Sequence, residues 1–81
     1  MIVSVQFHGL HRMVTQKSEM EVSLARNAQV RDAMLHVSDC FPDLQLREGR
    51  VFVLVNNKVS GMSHPLSHND KITFLPPVGG G

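Results

Sequence analysis

The sequence predicts a single α+β domain in which one main helix lies on a mixed β-sheet. Apolar and polar residues alternate in two early stretches, residues 2–8 and 19–24, as they do in half-buried strands. Helical spacing replaces this alternation over residues 30–41, and strand-like apolar runs return after residue 50. Two strands, a helix and then further strands are typical of an α+β roll built around one core.

The two early strands are predicted to pair as an antiparallel hairpin with a wide connection through residues 10–18. The inward-facing residues of the first strand are Val3, Val5 and Phe7. Those of the second strand are Met20, Val22 and Leu24. Because each set occupies every second position, it lies on one face of its strand and can cover a core.

An apolar stripe at helical spacing predicts the main helix. Its members are Val30, Ala33, Met34, Val37, Cys40 and Phe41. Pro42 ends the helix, because its ring clashes with the preceding turn. Asn27 is a candidate N-cap, although Gln29 directly precedes the stripe. Cys40 is the only cysteine, and its place on the stripe predicts a buried structural thiol rather than a nucleophile.

Residues 51–55 are continuously apolar, which predicts a central strand with both faces covered. Asn56 and Asn57 turn the chain, because asparagine tolerates positive φ, and residues 58–60 form a short partner strand. Residues 71–75 form the last strand, so the main elements follow the order ββαββ. A right-handed crossover after the helix lets a later strand lie parallel to the first. The β-grasp arrangement meets this condition with the terminal strands side by side in the centre.

The loops between these elements contain few apolar residues. Leu44 or Leu46 is expected to tuck under the domain, and Leu66 is the apolar anchor of the loop at residues 61–70. Asp70 lies in the turn before the last strand, where a turn residue is a better interpretation than a catalytic acid.

The composition excludes several classes of function. The formal charge is +1, and the aromatic residues are four Phe with no Trp or Tyr. The chain therefore lacks a basic or stacking surface for nucleic acid and an electrostatic attraction to anionic membranes. Neither a long apolar run nor a charged segment followed by an apolar one marks a membrane span or a signal peptide. We expect a cytoplasmic protein with neither nucleic acid nor a membrane as partner.

The polar residues form no recognisable reactive centre. The five histidines lack the helical spacing and the cysteine partners of a zinc site, so we expect them at the surface and predict no metal. No nucleophile with a neighbouring base and no phosphate-binding loop is evident. The domain is therefore not expected to be an enzyme by itself or to bind a cofactor of its own.

The last residues differ in character from the rest, and they divide the chain into a domain of residues 1–75 and a flexible tail of residues 76–81. Pro76 and Pro77 fix φ and lack a backbone donor, so the last strand cannot continue. The glycines that follow are conformationally free and have no side chain. Such an arm can thread a narrow channel and present the Gly81 carboxylate to another protein. A frayed end or a fusion scar is the alternative interpretation.

Four features of the later sequence occur together. They are residues 53–57 (Val-Leu-Val-Asn-Asn), Leu66, Asp70 and residues 72–81 (Ile-Thr-Phe-Leu-Pro-Pro-Val-Gly-Gly-Gly). This combination resembles the ubiquitin-like sulfur-carrier family, which includes the molybdopterin synthase small subunit (MoaD) and the thiamine-pathway carrier (ThiS). The resemblance extends over the whole chain in element order and is specific over residues 53–81. Asn69 departs from the family, which usually has glycine there, but asparagine also tolerates the left-handed region.

The resemblance implies a β-grasp fold and a reactive terminal glycine, Gly81. A partner enzyme of the MoeB/ThiF type would use ATP to adenylate Gly81, which is then converted to a thiocarboxylate. The tail would insert into a large subunit of the MoaE type, which supplies the catalytic residues of molybdopterin synthase. The residues implied to contact the partner are Leu75, Pro76, Pro77, Val78, Gly79 and Gly80. Phe74 and Leu75 alternate around the last strand, so one is expected in the core and the other on a contact surface.

The lengths of the connections favour a molybdopterin-type small subunit, because the thiamine carriers are usually shorter. Three alternatives remain open. The protein could carry sulfur for thiamine or another pathway, it could be a modifier whose Gly81 forms an isopeptide bond with a lysine, or it could be a β-grasp binding module with an idle tail.

Overall fold

The computed structural model of the protein describes residues 1–76, which form five β-strands and two α-helices. The strands are β1 (Ile2–Gln6), β2 (Glu19–Ser23), β3 (Phe52–Val55), β4 (Lys58–Ser60) and β5 (Lys71–Leu75). The helices are α1 (Gly9–Thr15) and α2 (Val30–Cys40), and a 3-10 turn follows at Pro42–Leu44. Of the predicted tail, only Pro76 lies within the described residues.

The strands form one mixed sheet in the order β2-β1-β5-β3-β4. β1 and β5 lie side by side in its interior and run parallel, with Val5 opposite Ile72. The other neighbouring strands are antiparallel. Parallel neighbours need a long crossover connection, and the connection from β1 to β5 contains α2. The predicted α+β class and the predicted β-grasp pairing of the terminal strands are both confirmed.

α2 covers one face of the sheet with the apolar stripe that its sequence predicted. The buried residues of the helix are Val30, Ala33, Met34 and Val37. The strands and the residue after β1 contribute Val3, Val5, Phe7, Val22, Val53, Val55, Ile72 and Phe74. Phe41, directly after the helix, packs edge-on against Phe7, with ring centroids 6.1 Å apart. Leu44, Leu46 and Leu66 are buried in the same core, as expected of loop anchors.

The predicted open connection between β1 and β2 contains a helix, α1. Leu10, Met13 and Val14 follow helical spacing, but they point to solvent and are 63%, 74% and 38% exposed. His11 and Thr15 form the buried side of this helix. The helix escaped prediction because it is only seven residues long, begins at a glycine and has no side-chain capping hydrogen bond. The expected hairpin therefore has a helix in place of a simple wide turn.

Cys40 is exposed, so the prediction of a buried thiol is wrong. Successive residues of a helix are about 100° apart, which puts Cys40 about 80° away from the direction of Val30. Cys40 therefore lies at the edge of the apolar stripe, and it is the last residue of the helix. Solvent reaches a side chain in that position even though its spacing fits the stripe.

The N-terminus of α2 is also capped differently from the prediction. Gln29, rather than Asn27, is the N-cap residue, and its N–H donates to the Asp32 carboxylate at 2.8 Å. The first two amides of the helix donate to carbonyl oxygens of the loop after β4, at 3.0 and 2.9 Å. These partners satisfy backbone donors that every helix leaves free at its start, and they fix the loop against α2.

β3 has one covered face, contrary to the prediction of a strand covered on both. Val53 and Val55 are buried, whereas Phe52 is 52% exposed. A continuous apolar run does not distinguish a strand buried on both faces from one whose outward residues form an exposed apolar surface. Within residues 1–76, neither helix is long and apolar enough to cross a membrane.

Candidate functional site

β5 carries the base of the predicted tail. Phe74 is buried in the core, at 1% exposure, while Leu75 is half-buried and Pro76 is exposed. Leu75 pairs with Phe52 of β3, and the ladder stops there because proline has no N–H to donate. The prediction that one of residues 74 and 75 is core is confirmed. The remaining predicted site residues, Pro77, Val78, Gly79, Gly80 and Gly81, lie outside the described part of the chain.

The turn before β5 depends on Asn69 and Asp70. Asn69 has φ of 72°, in the left-handed region that asparagine tolerates. The Asp70 carboxylate accepts a hydrogen bond from the Ser67 N–H at 2.8 Å and one from the side-chain amide of Asn56. These contacts close the turn, which supports the interpretation of Asp70 as a turn residue.

An apolar patch lies beside the tail base, on the face of the sheet opposite the buried core residues. The strand register places Leu54 opposite Val59 and Phe52 opposite Leu75. These four side chains therefore share one face, since side chains alternate along a strand. Phe52 is 52% exposed and Val59 is 81% exposed. We call these four residues the open-face patch, a candidate contact surface, since contiguous exposed apolar patches are common at protein–protein interfaces.

The other half of the same sheet face is mostly polar. The register places Ser4 between Glu21 of β2 and Lys71 of β5, and the Ser4 hydroxyl donates to Glu19 at 3.2 Å. The larger apolar surface therefore lies on the half of the sheet formed by β3, β4 and the last residue of β5, whereas the other half carries Ile2, which is 41% exposed, among polar residues. The half with the larger apolar surface adjoins Pro76, where the tail begins.

His11 is a residue of this region that the sequence analysis misassigned to the surface. It is 5% exposed, and its Nδ1 lies 3.0 Å from the carbonyl oxygen of Phe74. The sequence did contain a signal, because His11 and Thr15 are four residues apart and share a helix face. That face is the one opposite Leu10 and Met13, which the sequence analysis did not recognise as helical.

The side chains of residues 1–76 do not bring together a metal centre. In that range, no three His, Cys, Asp or Glu side chains are grouped so that they could hold an ion. The features that the structure brings together near the tail are instead a strand held on both sides, an apolar surface and one buried histidine. This arrangement is suited to presenting a peptide arm to another protein.

The fold matches solved structures of a small archaeal modifier protein and of a molybdopterin-converting factor. Small archaeal modifier protein 1 from Methanosarcina acetivorans superposes with a TM-score of 0.84 and 24% identity, covering 99% of this chain and 96% of that chain. A Helicobacter pylori 26695 structure, a complex of subunits 1 and 2 of molybdopterin-converting factor, matches with a TM-score of 0.66 and 23% identity over 100% of both chains. At these identities the two structures show a common ubiquitin-like β-grasp fold.

Sequence comparison goes further than fold. The molybdopterin synthase sulfur carrier subunit of Escherichia coli (strain K12) is 31% identical over 67 residues, covering 83% of this chain and 82% of that protein. The model of the ThiS family matches residues 5–81, which covers nearly all of the β-grasp domain and the whole of the predicted tail. The chain therefore belongs to the ThiS family.

Proposed function

We propose that this protein is a sulfur carrier of molybdopterin biosynthesis, the small subunit of a molybdopterin synthase. A partner enzyme adenylates the Gly81 carboxylate with ATP, and the adenylate is converted to a thiocarboxylate that donates its sulfur. The observation that carries the proposal is the 31% identity to the E. coli sulfur carrier subunit over 83% of this chain.

The division of labour follows from the chemistry of the terminus. A carboxylate is unreactive towards sulfur donors until it is activated, and glycine lets a chain enter a narrow site because it has no side chain. The domain supports the arm, because the strand that leads into it, β5, lies between β1 and β3 in the interior of the sheet. The partners supply ATP binding and catalysis, so the protein is a sulfur-donating subunit and not an enzyme by itself.

The open-face patch is the surface to which we expect these partners to bind. It lies next to Pro76, so a protein that covers it is positioned to receive the arm. Its members Phe52 and Leu75 are cross-strand neighbours, and aromatic residues in such patches often dominate binding energy. We assign the patch to two successive partners, the adenylating enzyme of the MoeB/ThiF type and the large subunit of the MoaE type. The H. pylori chain of the same fold comes from a complex of the two subunits of its converting factor.

The proposal is tested by incubating the purified protein with its adenylating enzyme, ATP and a sulfur donor, and measuring intact mass. The expected products are an adenylate and then a species in which sulfur replaces one oxygen, both located at Gly81 by fragmentation. If the wild-type protein forms neither product with its own adenylating enzyme, the proposal is wrong.

Glycine substitutions provide a matched control. Gly80→Ala and Gly81→Ala each add one methyl group to the arm. We expect both to reduce adenylation sharply, because a narrow channel in the partner would not admit the added methyl group. Gly61→Ala adds the same group in the domain, where a Cβ would meet no atom within 4 Å, and is expected to behave as wild type. Equal activity in all three variants would contradict a threading role for the arm.

The same experiment separates the alternative fates of the terminus. A thiocarboxylate that supports molybdopterin formation with the large subunit indicates the proposed pathway, and one that supports only thiazole formation indicates the thiamine pathway. Isopeptide adducts on lysines of other proteins would indicate a modifier, the activity named for the M. acetivorans protein of the same fold.

A further inference from the structure

His11 makes a buried contact that neither the core nor the proposed chemistry requires. Its Nδ1 lies 3.0 Å from the carbonyl oxygen of Phe74, a residue 63 positions away in sequence. A carbonyl oxygen can only accept a hydrogen bond, so Nδ1 must be the protonated nitrogen of the ring and donate to it. α1 is thereby joined directly to the end of β5, just before the tail.

The strand register explains why a side chain occupies this place. The Ser4 N–H donates to the Asp70 carbonyl at 2.9 Å, and Gln6 is aligned with Thr73. In a parallel ladder each residue bonds to the two neighbours of its partner. The next donor along β1 would therefore be the N–H of His8, and its acceptor would be the carbonyl of Phe74.

β1 does not supply that donor, because it ends at Gln6 and position 8 is already the N-cap of α1. The imidazole of His11 occupies the place that the missing backbone N–H would have filled. On its other side, β5 remains paired with β3 through Leu75 and Phe52. β5 is therefore held through Phe74 on one side and through Leu75 on the other, and Pro76 is the first position outside this support.

We infer that His11 is a positioning residue that anchors the base of the C-terminal arm and fixes where the arm leaves the domain. A carbonyl left without a donor would favour fraying of residues 74 and 75, and each residue that frays adds conformational freedom to the arm. An anchored base loses less entropy when the arm is inserted into a partner. The consequence for activation rests on the proposed sulfur-carrier function, but the anchor itself does not.

The helix that carries His11 is closed by local hydrogen bonds on the same face as His11. The Thr15 hydroxyl donates to the His11 carbonyl at 2.9 Å, and the Lys17 N–H donates to the same hydroxyl at 3.2 Å. Gln16 then ends α1 with φ of 57°. These contacts close the C-terminal end of the short helix, on the same face from which the His11 imidazole reaches the Phe74 carbonyl.

The anchor is tested by amide hydrogen exchange, measured by NMR, on His11→Leu and His11→Asn. Leucine removes the donor, whereas the amide nitrogen of asparagine is attached to Cγ, as Nδ1 is, and can replace it. Losing one such hydrogen bond corresponds to about a threefold to tenfold increase in the exchange rate of the amides that it protects. We expect the amides of Phe74 and Leu75 to exchange faster by that factor in His11→Leu, relative to Val5 in the same molecule, and to recover in His11→Asn.

The exchange rates of the Phe74 and Leu75 amides, divided by that of the Val5 amide, separate local fraying from global destabilisation. Global unfolding accelerates exchange at all three amides equally. His36→Leu, an exposed histidine of α2, controls for loss of an imidazole. Unchanged protection of residues 74 and 75 relative to Val5 in His11→Leu would overturn the inference, as would equal effects of the leucine and asparagine variants.

Adenylation kinetics test the consequence for activation. We expect His11→Leu to lower kcat/KM for the partner enzyme by about threefold to tenfold, mainly through KM, and His11→Asn to restore it. Faster exchange at residues 74 and 75 with unaltered kinetics would overturn the positioning role. If the wild-type protein is not adenylated at all, the sulfur-carrier proposal fails, and the exchange experiment still decides whether His11 anchors the arm.

Discussion

The side chains of Asn56 and Asp70 are hydrogen-bonded to each other, with Asn56 Nδ2 2.9 Å from Asp70 Oδ1. Asn56 lies in the turn between β3 and β4 with φ of 51°, and its Oδ1 also accepts the N–H of Lys71 at 3.0 Å. One side chain thus joins two turns at the first residue of β5. The other end of the same strand carries the tail base, so β5 is fixed by specific polar contacts at both ends.

Asp70→Ala is expected to lower the free energy of unfolding by about 1.5–3 kcal/mol, because it removes a charged acceptor used by both Asn56 and the Ser67 N–H. Urea denaturation measures the change. Asp39→Ala removes an exposed carboxylate of α2 and is expected to change stability by no more than about 0.5 kcal/mol. Equal losses in the two variants would contradict the role assigned to Asp70.

Phe74 and Leu75 are adjacent in sequence but face opposite sides of the sheet. Phe74→Ala is expected to cost about 3–5 kcal/mol, since it empties a fully buried position. Leu75→Ala is expected to cost about 1 kcal/mol, because the side chain is only half-buried. Thermal and urea denaturation of the two variants compare these costs. A larger loss for Leu75→Ala than for Phe74→Ala would show that the strand faces are assigned wrongly.

Phe52→Ala is expected to weaken binding to the adenylating enzyme by about 5- to 30-fold, the effect of losing an aromatic residue that contributes 1–2 kcal/mol to an interface. Titration calorimetry or the KM for adenylation measures this change. Leu35→Ala is the matched control, because Leu35 is 54% exposed but lies on α2, across the sheet from the open-face patch. Similar weakening by both substitutions would argue against the patch as the docking surface.

The Cys40 thiol is expected to react with iodoacetamide in the native protein, because it is exposed. The rate should lie within about tenfold of the rate in urea, where every thiol is accessible. The alkylated protein should retain its denaturation midpoint, since no core contact is removed. Reaction that required unfolding would mean that the thiol is buried after all.

The fold was largely predictable because most strands bury one face, and period-two alternation reports that burial. Val3 and Val5 on β1 are typical examples, since both are fully buried. The same reasoning failed where apolar residues face solvent. α1 was missed because a helix of seven residues without a side-chain cap gives too short a pattern, and its apolar residues do not mark a core face. Cys40 was predicted to be buried because helical spacing alone does not show where the packing over a helix ends.

The candidate site was only partly predictable for a different reason. The tail is visible in the sequence as prolines followed by glycines. The complete open-face patch is not, because Phe52 and Leu75 come together only through the pairing of β3 with β5, which no local pattern specifies. The contact between His11 and Phe74 joins residues 63 positions apart, and no local pattern encodes such a pairing.

The interior position of β5 determines when this protein becomes able to act during its synthesis. β5 is the last of the described strands along the chain, yet it lies between β1 and β3, so a nascent chain cannot assemble the sheet until residues 71–75 have been made. Pairings between such distant segments are also slow to form. Until they form, the partners would find neither the open-face patch nor an anchored arm. Under the proposed function, folding must therefore precede activation, and an unfolded chain is not charged with sulfur.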